Sequence, residues 1–97
     1  MPTFTEIWEF ILLPDPYGAV ATLSPHYKKA IEAIPGIVST EFLRPEGEPK
    51  LLWQILIWKG EKPEPAAVRA YHQLPEQNGF ATLIASPPRK VASLHSI

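Results

Sequence analysis

Residues 50 to 60 read KLLWQILIWKG, two tryptophans and five branched aliphatics around a single polar side chain within the run, Gln54. A stretch this short, rich in aromatic and β-branched residues, predicts a strand. Alternation puts Leu51, Trp53, Ile55 and Ile57 on one side and Leu52, Gln54, Leu56 and Trp58 on the other, so both sides are apolar. A sheet with one face in water normally shows that water a polar row, so this strand belongs in the middle of a sheet covered on both faces. Gln54 then has two readings. It orients a ligand inside an apolar cavity, or it is an amide satisfied by a cross-strand partner or a water, the commoner state of a buried amide.

The rest of the chain is punctuated by proline. Twelve of the 97 residues are proline, clustered at LLPDPYG, LSPH, IPG, RPEGEP, EKPEP, QLPE and SPPRK, where they interrupt helices and central strands. Between the clusters, TEIWEFILL, IVSTEFL, KLLWQILIW and KVASLHSI read as four strands. In SPHYKKAIEAIPG, Ser24 is placed to cap, Pro25 suits the first helical position, and Tyr27, Ala30, Ile31 and Ile34 recur at helical spacing before Gly36. A second helix is expected over EPAAVRAYHQL, continued after Pro75 by PEQNGFATLIAS. The loop PDPYGAVATLS, residues 14–24, is a candidate lid or a plain surface excursion. The order strand, helix, strand, strand, helix, strand predicts an α+β, ferredoxin-like βαββαβ domain over residues 1–97, with an antiparallel sheet and both helices on one face. Leu52, Leu56 and Trp58 are expected on the other face, covered by a second copy in a homodimer.

Composition narrows the function. Nine Lys plus Arg against ten Asp plus Glu give a formal charge of −1, with no basic cluster to follow a phosphate backbone, so nucleic acid is not an expected partner. There is no cysteine, which removes thiolate nucleophiles and thiolate metal sites and fits a reducing compartment. No apolar run approaches the roughly 18 residues of a membrane span, and the N-terminus lacks the basic start of a signal peptide. A cytoplasmic protein is the expectation. No carboxylate and histidine pair stands at metal-ligand spacing, and there is neither a phosphate loop nor a nucleophile elbow.

Three side chains are candidates for moving protons. His95 alternates with Val91 and Ser93; if Ala92 and Leu94 face the helices, His95 looks into the barrel or across the dimer seam. Glu9 alternates with Ile7 and Ile11, either at an exposed edge or as a carboxylate with a raised pKa in an apolar interior. His72, on the second helix, is a possible shuttle or a partly exposed structural residue. Gln54, Trp58 and Tyr71 are the candidates for binding, the two aromatics equally able to be core. Glu9, Gln54 and His95 are expected to converge on one concavity.

The element order, with LIW closing the third strand, AYHQ in the following helix and GFATLIASP before the last strand, resembles the antibiotic biosynthesis monooxygenase domain of the dimeric α+β barrel superfamily, fungal members above all. The resemblance spans nearly the whole chain on loose motifs. It implies a homodimer with a cavity between sheet and helices in each protomer. It also implies chemistry on a hydrophobic, aromatic or polyketide-like molecule (oxygenation, cyclisation or dehydration) without metal, flavin or nicotinamide. The family's histidine usually lies closer to the phenylalanine of the F…SP segment than His72 lies to Phe80, so Gln77 is the alternative match. A non-catalytic binding or structural dimeric module is the competing expectation.

Overall fold

Strand β3 (Leu51–Lys59) is hydrogen-bonded on both sides in a computed structural model that describes residues 2–15 and 18–97. Its neighbours are β1 (Thr3–Ile11) and β2 (Ile37–Leu43), and β1 also pairs with β4 (Arg89–His95). All pairings are antiparallel and the order is β2-β3-β1-β4. Helix α1 (Ala19–Glu32) joins β1 to β2, while α2 (Pro65–His72) and α3 (Glu76–Ala81) join β3 to β4. This is the ferredoxin-like arrangement expected from the element order, with the second helix broken in two. Pro75 causes the break, since it lacks a donor and holds the residue before it out of helical geometry.

Helix α1 starts five residues before the expected Ser24 cap, taking in part of the 14–24 loop; Pro16 and Tyr17 of that loop lie outside the described residues. The Asp15 carboxylate does the capping, accepting the backbone N–H of Ala19 at 2.7 Å and of Val20 at 2.9 Å, which satisfies two of the donors a helix start leaves free. Pro25 therefore sits inside the helix, and the buried Ser24 hydroxyl finds no partner among the described residues. Of the expected stripe, Tyr27, Ile31 and, just past the end, Ile34 are buried and Ala30 is half-buried; Val20, in the added first turn, is buried with them.

The helices cover the face of β3 that carries Leu52, Gln54, Leu56 and Trp58, all buried. This reverses the expectation that Leu52, Leu56 and Trp58 look toward a second copy. Both faces of β3 are apolar, so the strand alone does not decide which one the helices take. Its register against β1 does: Phe4, Glu6, Trp8 and Phe10 share the helix side, opposite Trp58, Leu56, Gln54 and Leu52. The centre of the core is aromatic. Phe80 meets Phe10 edge-on at 5.5 Å, Tyr27 at 5.1 Å and Phe42 at 5.2 Å between ring centroids, geometry that the ring quadrupole favours. The far side of the sheet, with Ile7, Ile11, Leu43, Leu51, Trp53, Ile55, Ile57 and Leu94, has no layer over it in one chain.

Gly36 closes the turn from α1 into β2 at φ 99°, and a Cβ there would stand 2.9 Å from Cβ of Ala67 in α2. Left-handed backbone and close approach both require glycine. Gly47, at φ 77°, has nothing within 4 Å of such a Cβ. Gly36→Ala is therefore expected to cost more than Gly47→Ala in urea denaturation, by about 1–3 kcal/mol for the added overpacking. Equal losses would contradict the close packing of α2 on the turn.

Candidate functional site

A cavity of about 290 Å³ lies between the sheet and the helices. Its floor is the helix-facing row of the two central strands, Glu6, Trp8 and Phe10 of β1 with Gln54, Leu56 and Trp58 of β3. Tyr27 of α1, Val68, Tyr71 and His72 of α2, and Gln77, Phe80 and Ala81 of α3 line the helix side. Ile84 closes one end, tied down where Leu12 bridges it and where the Ala85 N–H meets the Ile11 carbonyl at 2.7 Å.

Gln54 is wholly buried, and both ends of its amide are held. The nitrogen donates to Thr40 Oγ1 on β2 at 3.1 Å, and Thr40 in turn donates to the Ile55 carbonyl at 2.9 Å. The oxygen accepts the Tyr71 hydroxyl at 3.3 Å, and Tyr27 donates to Tyr71 at 3.5 Å, a long contact. The cross-strand partner of the second sequence reading is present in Thr40, while the other end of the amide is bonded to Tyr71 beside the cavity. Burial pushes the hydroxyl pKa of Tyr27 and of Tyr71 above the ordinary phenol value, Tyr27 additionally through the neighbouring Tyr71, so both stay neutral hydrogen-bonding groups at physiological pH.

The carboxylate on this side is Glu6, which the sequence reading missed. It is 8% exposed, accepting the Trp58 indole N–H at 2.7 Å on one oxygen and pairing with Lys90 Nζ at 2.9 Å on the other. Lys90 also lies 5.3 Å over the Trp8 ring, a cation–π contact that holds the ammonium at the edge of the site. A signal for Glu6 was available. Its neighbours two places either way are Phe4 and Trp8, and a carboxylate set in an aromatic row is one whose strand face is covered.

Of the six residues singled out from the sequence, Gln54, Trp58, Tyr71 and His72 come together around the cavity. Gln77, the alternative match to the family histidine, lines it as well. Glu9 and His95 do not join them. Glu9 pairs with Trp53 while Gln54 pairs with Trp8, so Glu9 and Gln54 point to opposite faces and the expected convergence fails. On the open face Glu9 accepts the Trp53 indole N–H at 2.9 Å and the Arg89 guanidinium at 3.1 Å, and these two bonds hold its carboxyl below the usual carboxylate range instead of raising it. For His95 the premise is inverted. Ala92 and Leu94 pair with Ile7 and Thr5 on the open face, and His95 pairs with Phe4 on the helix side. There it sits 5.1 Å from the Phe4 ring, exposed and outside the cavity lining. Among the described residues no three His, Asp or Glu side chains group as a metal site requires.

No protein-family model matches the chain, and no curated protein matches it either. Solved structures do share its fold. PA3566 of Pseudomonas aeruginosa superposes with a TM-score of 0.74 at 13% identity, over 100% of this chain and 96% of that one. A candidate antibiotic biosynthesis monooxygenase of Nitrosomonas europaea gives 0.73 at 14%, over 92% and 86%. SnoaB, a cofactor-independent oxygenase of Streptomyces nogalater, gives 0.72 at 16%, over 95% and 93%. At these identities the likeness establishes the α+β, ferredoxin-like fold of antibiotic biosynthesis monooxygenase structures.

Thr40→Val should leave the Gln54 amide buried without its acceptor and cost about 1–3 kcal/mol of stability. Adding Gln54→Leu should cost less than the sum of the two single changes, because the orphaned amide goes with it. A strictly additive double mutant in urea denaturation would show that the two side chains are not coupled.

Proposed function

We propose that this chain is a cofactor-independent enzyme of the antibiotic biosynthesis monooxygenase family, of its fungal type, acting in the cytoplasm on an aromatic or polyketide-like molecule by oxygenation, cyclisation or dehydration. The cavity carries this reading: it is walled by aromatic rings and holds a few polar groups fixed in direction, the usual design of a site for a flat apolar ligand. The fold shared with SnoaB supports it. So does the presence of both Gln54 and His72 in one lining, since a merely structural module has no need of two polar groups beside an open cavity.

Each of the three reaction types can begin by taking a proton from a phenolic O–H or from a C–H made acidic by a conjugated carbonyl. In this reading His72 takes it; its ring lines the cavity from the exposed side, edge-on to Tyr71 with ring centroids 5.4 Å apart. Tyr71 and Gln54 hold the ligand in register, and Trp58, 5.9 Å from the Tyr71 ring, gives its plane a surface to lie on. For oxygenation, dioxygen is the oxidant: an anthrone plus dioxygen gives an anthraquinone plus water. With chelator present and no flavin or nicotinamide added, the protein should consume dioxygen and form the quinone from an anthrone well above the buffer rate. His72→Ala should lower that rate by about 10²-fold, the lower end of what general acid–base catalysis contributes. Tight binding with no turnover of any such compound would favour the binding-module reading instead.

The open sheet face is the proposed homodimer surface. Leu51, Trp53, Ile55 and Ile57 are half-buried and Ile11, Leu43 and Leu94 exposed on this face, so completing their burial recovers part of the roughly 1.5–3 kcal/mol that each large side chain contributes when fully buried, and one two-fold pairing covers them all with a single self-complementary patch. Ile55→Lys is expected to shift sedimentation toward a folded monomer, whereas Leu56→Lys places a charge in the core and unfolds the chain. A wild type that is monomeric throughout a micromolar dilution series contradicts the dimer.

A further inference from the structure

The hydrogen bonds around Gln54 have one consistent direction. The Ile55 carbonyl can only accept, so Thr40 Oγ1 spends its single proton there and must accept from the Gln54 nitrogen. Gln54 Oε1 is thereby turned to Tyr71, whose own proton is spent on it, and the Tyr71 oxygen is left to accept from Tyr27. A hydroxyl has one proton to give. The three hydroxyl protons of the chain therefore run inward to the sheet, one of the two Gln54 N–H groups is spent on Thr40, and the atom at the cavity end, the Tyr27 oxygen, is left with its lone pairs to offer. Glu6 lines the same cavity. Each of its oxygens receives one donor, from Trp58 or Lys90, and keeps a further lone pair. Lys90 is not itself part of the lining, and the Trp58 indole proton is already committed to Glu6.

We propose that this patch selects ligands that donate a hydrogen bond, namely aromatic molecules carrying a neutral hydroxyl, with Glu6 as the residue that accepts it. Ligands of the same shape that carry only a carbonyl or an ether, and carboxylate anions, are disfavoured. An acceptor-only ligand would leave the buried Glu6 and Tyr27 lone pairs facing lone pairs, and a carboxylate would meet a like charge. The acceptor character belongs to Glu6, Tyr27 and Tyr71 and not to the whole lining, because the second Gln54 N–H and the Trp8 indole can donate and His72 and Gln77 can do either. The inference rests on the proposed reading of the cavity as the substrate site.

Calorimetric titration with three two-ring compounds tests it: 2-naphthol, 2-methoxynaphthalene and 2-acetonaphthone, each neutral at pH 7. The wild type is expected to bind 2-naphthol at least about tenfold more tightly than either of the others, as a bond to a charged acceptor warrants. Glu6→Gln, whose amide can also donate, should narrow that ratio to about threefold or less. If the variant does not fold by circular dichroism, nuclear Overhauser contacts in the wild type decide the point. They are expected between the naphthol protons flanking the hydroxyl and the Glu6 side-chain methylenes. Bound naphthol without those contacts, or an unchanged ratio in a folded Glu6→Gln, overturns the role of Glu6. Equal affinities for all three compounds, with Trp58 fluorescence quenched, overturn the donor selectivity and leave the cavity standing as a site. No binding of any compound removes the site and the selectivity together.

Discussion

The bond between the Gln54 amide and Thr40 is the constraint on which the interior depends. An amide with no exposure to water must find partners inside the protein or cost the desolvation of its donors and acceptor. Thr40, on the neighbouring strand and itself 1% exposed, supplies one partner, and its own proton is fixed by the Ile55 carbonyl. The direction set there passes to Tyr71 and Tyr27, so a single side-chain pair between β2 and β3 determines how two helices present their hydroxyls to the cavity. The polar chain and the aromatic cluster around Phe80 share Tyr27. Packing and hydrogen bonding therefore position the same ring.

Strand β1 divides its two carboxylates between two environments. Glu6 and Glu9 are three residues apart, which on a strand puts them on opposite faces. Each is paired in the same way, with one indole N–H and one cation: Trp58 and Lys90 for Glu6, Trp53 and Arg89 for Glu9. Arg89 and Lys90 alternate between faces as neighbours on a strand, and the bulge in β4 between the partners of Ile7 and Trp8 sets which face each takes, Lys90 opposite Trp8 on the helix side and Arg89 opposite Glu9 on the open one. What differs is the surroundings. Glu6 belongs to a concave aromatic lining, while Glu9 stands among aliphatic side chains on the face assigned to a second copy.

Much of this fold was legible in the sequence because its signals are local. Proline clusters, strand alternation and the Tyr27, Ile31, Ile34 stripe each operate over a few residues, and together they gave the element order and the sheet. The start of α1 was not legible. Asp15 reaches across to the amides of Ala19 and Val20, whereas Ser24 followed by Pro25 is the stronger signal in a local reading. The faces were misassigned for a related reason: β3 is apolar on both sides, so its alternation is symmetric, and the choice is made by the aromatic row Phe4, Trp8 and Phe10 on its neighbour. Once the faces are exchanged, Glu6 replaces Glu9 on the side of Gln54, and Trp58, expected at the seam with a second copy, joins Gln54, Tyr71 and His72 around the cavity on the helix side. His95 was assigned by supposing that Ala92 and Leu94 face the helices; the alternation from Ala92 to His95 is regular, so the exchange of faces moves His95 with it.

The central claim is that the space between the sheet and the helices receives the ligand and that the open sheet face does not. A crystal structure of the protein with bound 2-naphthol tests it most directly. The account predicts the ring between Trp58 and Phe80, with its oxygen in hydrogen-bonding contact with Glu6 and Gln54 still bonded to Thr40 and Tyr71. A naphthol seated on the far face against Trp53 and Ile55, with the cavity collapsed behind it, would contradict the account.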